Sequence, residues 1–137
     1  MSKIILISCV SKKRKYKTKA KNLYTSPLFQ YNIKYAESLN PDKIFILSAK
    51  YGLLDLEKEI EPYEKTLNNM SAEQIKRWAS KVISQLKKVS YLQKDKFIFL
   101  AGTKYRKYLI PNLKLVEVPL EGLTIGKQLK YLKQKVD

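Results

Sequence analysis

The sequence predicts an α/β fold, a three-layer α/β/α sandwich on a four-stranded, mainly parallel sheet, from three observations. Ile4-Ile5-Leu6-Ile7, Ile44-Phe45-Ile46-Leu47 and Phe97-Ile98-Phe99-Leu100 are short, continuous apolar runs, the pattern of strands covered on both faces. Helical spacings lie between them, so strand and helix alternate along the chain. Each run ends in small residues followed by cations: Ser8-Cys9 before Ser11-Lys12-Lys13, Ser48-Ala49-Lys50-Tyr51-Gly52, and Ala101-Gly102-Thr103-Lys104-Tyr105. The carboxyl ends of parallel strands are where open α/β sheets place their ligands.

The elements follow in order. After the first strand, Ser11 to Lys21 carries seven Lys and Arg residues, one tyrosine and no apolar periodicity; it reads as a loop, mobile when unliganded. Ser26 is an N-cap and Pro27 the first position of a helix. Leu28, Phe29, Ile33, Ala36 and Leu39 line that helix up to the Asn40-Pro41 stop. The second strand covers residues 43 to 48, and Asp55 to Leu67 is a surface segment rich in carboxylates.

Ser71 with Gln74 makes a capping box. Ile75, Trp78, Ala79, Val82, Ile83, Leu86 and Val89 then form one apolar stripe, so Trp78 belongs to the core. The third strand spans 96 to 101 and runs into a short helix that ends before Pro111. Leu113 to Val118 alternates like an outer strand with one wet face. Thr124 caps the last helix, in which Ile125, Leu129 and Leu132 are expected to pack inward. Strand order 2-1-3-4 would set the switch point beside the first strand, and residues 1–137 read as one α/β domain.

Composition narrows the function. The 28 Lys and Arg against 12 Asp and Glu give a net charge of +16, which draws polyanions, nucleic acid or nucleotides above all. The scarcity of arginine, with only Arg14, Arg77 and Arg106, also fits a lysine-rich, A+T-rich coding bias. The absence of histidine removes every Ser-His-Asp or Cys-His mechanism and every His-containing zinc site. No metal site and no cofactor are expected. No apolar stretch reaches the roughly 18 residues of a membrane span, and a single cysteine allows no internal disulfide. Both features suit a soluble protein of the cytoplasm.

The candidate site gathers at the predicted sheet edge. Ser11, Lys12, Lys13 and Lys50 are candidates to hold phosphates, with Gly102 and Lys104 at the start of the short helix. Tyr24, Tyr51, Tyr63 and Tyr105 are candidates to stack on a base or line its pocket, with Ser48 beside them. Cys9 is either a nucleophile activated by neighbouring lysines or a buried structural thiol. Glu61 and Glu64 either act as the carboxylate of a reaction or balance charge on a surface loop.

Several motifs together resemble an uncharacterised family of small bacterial, archaeal and phage proteins. They are Ser8-Cys9 with Ser11-Lys12-Lys13, Leu23-Tyr24-x-Ser26-x-Leu28-Phe29, Leu47 to Leu53, Ile60-x-Pro62-Tyr63-x-x-Thr66-Leu67, Ala101-Gly102-x-x-Tyr105, and Pro119-Leu120-x-Gly122-Leu123-x-Ile125-Gly126-x-Gln128-Leu129. More distantly, the cysteine-serine-lysine turn resembles that of domains attached to archaeal tRNA-guanine transglycosylases and archaeosine synthases. The layout is similar to the uracil-DNA-glycosylase superfamily. Both resemblances imply nucleobase or nucleic-acid chemistry. Uracil-DNA glycosylases set a histidine against the leaving base, and this chain has none.

Two functions are therefore expected. One is an N-glycosidic bond hydrolase, in which Glu61 or Glu64 stabilises an oxocarbenium-like state while donors hold the departing base. The other is a basic nucleic-acid-binding module that performs no chemistry and tolerates Cys9→Ser and Glu61→Gln.

Overall fold

The computed structural model describes all 137 residues. The three apolar runs form the middle of the sheet: β1 (Lys3–Ser8), β3 (Lys43–Ser48) and β6 (Lys96–Leu100). They are parallel, and Ile5 pairs with Ile44 on one side and Ile98 on the other. Ile4 to Ile7 are completely buried, as a run apolar on both faces requires. β7 (Leu115–Glu117) adds a fourth parallel strand beyond β6.

The sheet has five strands, not the expected four. β4 (Gly52–Asp55) folds back antiparallel on the outer side of β3, giving the order β4-β3-β1-β6-β7. The reversal depends on Gly52, whose φ of 74° suits a residue without a side chain. The space a Cβ would take there is already held by Gln85, whose side chain accepts from Leu53 N–H at 2.7 Å and donates to the Tyr51 carbonyl at 3.2 Å.

The helices start where the caps put them. α2 (Pro27–Ser38) opens with the Ser26 hydroxyl accepting from Phe29 N–H. α3 (Ala72–Val89) opens on a complete capping box between Ser71 and Gln74. α5 (Ile125–Val136) opens with Thr124 accepting from Lys127 N–H. α2 and α5 pack on each other, while α3 lies against β4. The crossover β1-α2-β3 and the return from β3 through α3 to β6 run in opposite directions across the sheet. Right-handed connections then put their helices on opposite faces.

Two expectations are corrected. Ile125 does not pack inward: it is 65 % exposed, while Leu132 of the same helix is buried as expected. The basic stretch after β1 is not a free loop. Lys13 and Tyr24 form an antiparallel bridge flanked by Thr25 N–H to the Lys12 carbonyl (3.0 Å) and Arg14 N–H to the Leu23 carbonyl (2.9 Å). The stretch also contains β2 (Thr18–Lys19), paired antiparallel with β5 (Glu59–Ile60), and one helical turn, α1 (Ala20–Leu23), that buries Ala20 and Leu23. These two apolar residues, spaced three apart among cations, anchor the basic segment on the segment that follows β4.

A further helical turn, α4 (Thr103–Arg106), follows β6. One cluster of 33 buried apolar residues joins the sheet to the helices on its faces. No helix is long and apolar enough to cross a membrane.

Candidate functional site

β1 delivers Cys9 to the carboxyl edge, where its N–H continues the strand pairing by donating to the Leu47 carbonyl at 3.1 Å. The thiol is 7 % exposed and lies 3.4 Å from the Tyr105 hydroxyl. That hydroxyl also accepts from Leu67 N–H at 3.5 Å, so α4 is joined both to β1 and to the turn before α3. Burial pushes the Tyr105 phenol up from its usual range, and the nearby Cys9 adds to the shift.

β3 delivers Ser48, completely buried, whose carbonyl accepts from the Trp78 indole N–H at 2.8 Å. Its Oγ accepts from the N–H groups of Lys50 (3.2 Å) and Tyr51 (3.0 Å). With both lone pairs engaged, its proton goes to the Tyr63 hydroxyl 2.8 Å away. The Tyr63 hydroxyl is in turn hydrogen-bonded to that of Tyr24 at 2.6 Å. The chain of hydroxyls therefore runs Ser48 to Tyr63 to Tyr24. Burial is the main cause that raises the phenols of Tyr24 and Tyr63, with Cys9 next.

The cations stand above this cluster. Lys13 Nζ lies 4.5 Å from the Tyr63 ring centre and 5.8 Å from that of Tyr24. Burial lowers the Lys13 pKa, while Cys9 and Glu64 oppose the shift. Lys50 is exposed over the half-buried Tyr51 ring, and its carbonyl accepts from Lys81 Nζ at 3.3 Å. Ser11 and Lys12 are exposed nearby. Across the whole chain only Lys19, Lys21 and Lys96 pair with a carboxylate, through Glu57 and Glu117.

Next to the cluster, between the ends of β1 and β6 and the turn into α5, lies a cavity of about 520 Å³. Leu28, Phe99, Leu120 and Leu123 give it apolar walls; Ser8, Asn32, Tyr105 and Gln128 give it polar ones; Gly102, Lys104 and Arg106 stand around it. No carboxylate lines it. Asn32 is 5 % exposed, and its Oδ1 has no hydrogen-bond partner. A buried polar atom left unpaired costs about 1–3 kcal/mol.

The sequence-derived candidates thus form two groups that meet at Tyr105. Cys9, Ser48, Tyr24, Tyr63 and Lys13 make the buried cluster; Gly102 and Lys104 belong to the cavity; Tyr105 belongs to both. Tyr24 has no exposed surface and packs its ring 4.9 Å from Phe29, so Tyr51 is the most open of the four tyrosines. Glu61 and Glu64 are exposed and stand outside the cavity, with Glu64 near enough to influence Lys13. No group of three or more Cys, Asp or Glu side chains is placed to hold a metal ion.

Asn32 and Gln128 also line the cavity, although neither is among the candidates at the strand ends. The signal for Asn32 was present: it shares the buried face of α2 with Phe29, Tyr35 and Ala36, at spacings of three and four. A polar residue on an apolar stripe needs a partner or a purpose.

A mainly parallel five-stranded sheet with helices defines the class as α/β, and its cavity and cations lie at the carboxyl edge, where such sheets place their ligands. The chain belongs to a family of unknown function, DUF6884, whose pattern matches residues 4–134. No curated protein and no solved structure matches it.

Proposed function

We propose that this is a nucleic-acid- or nucleotide-directed protein that takes a base into the cavity at the carboxyl edge of the sheet. The observation that carries the reading is the cavity itself, with apolar walls for a flat ring, a buried amide for its edge, and lysines beside it. A base drawn out of a strand needs such a pocket, and its phosphates need the unpaired cations outside. The activity proposed for it is hydrolysis of an N-glycosidic bond. Cavity groups would hold the departing base, and Glu61 or Glu64 would face the sugar from the segment covering the adjoining cluster. The three-layer arrangement and the likeness to the uracil-DNA-glycosylase superfamily belong to the same proposal.

A second reading, a binding module without chemistry, is favoured by the lack of any carboxylate in the cavity wall. One experiment separates the two. Purified protein and a Glu61→Gln, Glu64→Gln double variant are incubated with DNA, tRNA and modified nucleotides, and released small molecules are identified by mass spectrometry. Release of a free base by the unsubstituted protein alone supports the hydrolase. Retention of nucleic acid that falls steeply with salt, with no release, supports the binding module.

A further inference from the structure

Asn32 is the one buried side-chain polar group in the chain that lacks a hydrogen-bond partner for one of its atoms. It sits in the middle of α2, where asparagine is a poorer helix former than leucine. Its neighbours on the buried face, Phe29 and Ala36, are apolar, and a leucine there would remove the unpaired oxygen. No hydrogen bond of the fold uses the Asn32 side chain, whereas Ser48 and Asp95, the other two buried polar residues, are each engaged two or more times. What distinguishes Asn32 is its position in the cavity wall.

From this we infer that Asn32 is the specificity-determining residue of the cavity, and that its carboxamide pairs with the edge of a nucleobase. An asparagine amide carries one acceptor and one donor side by side. It matches a base edge that presents an N–H next to a ring nitrogen or carbonyl, as in the bidentate contact of asparagine with adenine. The ligand's N–H would go to Oδ1, the buried atom the fold leaves unpaired, once the carboxamide turns that oxygen toward the cavity. Gln128, across the cavity, gives its Nε2 to the Leu123 carbonyl at 2.9 Å and is fixed by the protein itself. Asn32 is therefore the amide free to read. Leu28 and Leu123, both half-buried in the cavity wall, supply the apolar surface that a flat ring covers. This inference rests on the base-binding reading above and adds the group that recognises the base.

The test is titration of the full chain with uridine, cytidine, adenosine and guanosine, followed by amide chemical shifts, for the unsubstituted protein, Asn32→Leu and Asn32→Asp. The expected result is binding of at least one nucleoside that moves the amides of residues 102–105 and 120–128. Asn32→Leu should weaken it at least tenfold while its melting temperature is unchanged or higher. Asn32→Asp, which accepts twice and donates nothing, should shift preference toward guanosine, whose N1–H and amino group are adjacent donors. Equal affinity in all three proteins would overturn the role of Asn32 and leave the base site standing. Retention of nucleic acid with no nucleoside acting on the cavity residues would also overturn it, while sparing the nucleic-acid reading. Binding of neither class of ligand would remove both.

Discussion

Cys9 and Tyr105, 96 positions apart in the chain, meet at 3.4 Å in the interior and join the end of the first strand to the cavity wall. Tyr105→Phe keeps the ring against Trp78 but removes the hydroxyl from both Sγ and Leu67 N–H. The variant should lose about 1 kcal/mol in urea denaturation. Its Cys9 should also react faster with iodoacetamide than the native thiol, which is nearly closed to solvent. Unchanged stability and unchanged alkylation would show that the Cys9–Tyr105 pair holds nothing in place.

Tyr63 is the middle link of three hydroxyls, so Tyr63→Phe strands both neighbours in the interior. A loss of about 1–3 kcal/mol is expected. The phenols of Tyr24, Tyr63 and Tyr105 are all raised, chiefly by burial. Their neutral forms therefore favour the folded state. This contribution is complete below the ordinary tyrosine value of about 10 and is lost as pH rises beyond it. Melting temperature should fall in that alkaline window, and less steeply in Tyr63→Phe.

Asp95 gives the opposite dependence. Its carboxylate accepts from Tyr91 N–H and Ser2 N–H, each at 2.8 Å, and the first of these is the main cause of its lowered pKa. A lowered carboxyl stabilises the fold at and above the ordinary aspartate value of about 4, and the contribution vanishes as pH falls below it. Asp95→Asn should melt lower at neutral pH, and the gap to the parent should close on acidification.

Lys12, Lys13, Lys50 and Lys104 stand over the edge without a carboxylate partner. Replacing any one with glutamine should weaken nucleic-acid binding and flatten the plot of log affinity against log salt. Each phosphate left without its lysine should reduce the slope by about 0.7–0.9. Fluorescence anisotropy at several salt concentrations measures both, and an unchanged slope would remove that lysine from the interface.

The central strands, the three main helices and their caps were legible because each rests on a local rule. Apolar runs of four residues, the Ser71-Gln74 box and the Ser26-Pro27 pair need no distant partner to be recognised. β4 was not legible, because its reversal depends on Gly52 meeting Gln85, 33 positions later. β2 and β5 are two residues each, too short to show any period, and exist through each other. Ile125 follows the helical spacing but sits in the first turn of α5, whereas Tyr131 and Asp137, further along, meet Tyr35 and Tyr31 of α2. In the site, the strand ends drew attention to Cys9, Ser48 and Tyr105. Asn32 lies at helical spacing from Phe29 and Ala36, which was legible, but that its Oδ1 has no partner and that it lines a cavity depend on elements distant in the chain.

The scarcity of ion pairs bears on the solution behaviour of the whole molecule. With 28 cationic side chains and three of them paired, two of these on the one carboxylate of Glu57, the folded chain repels itself, and compaction brings like charges together. Added salt screens that repulsion over about 8–10 Å, so it strengthens the fold under the same conditions that loosen a bound polyanion. A bound polyanion is then more than a ligand. The proposed polyanion would supply the counter-charge that the sequence omits, and the protein should be at its most heat-resistant in low salt only when that polyanion is present.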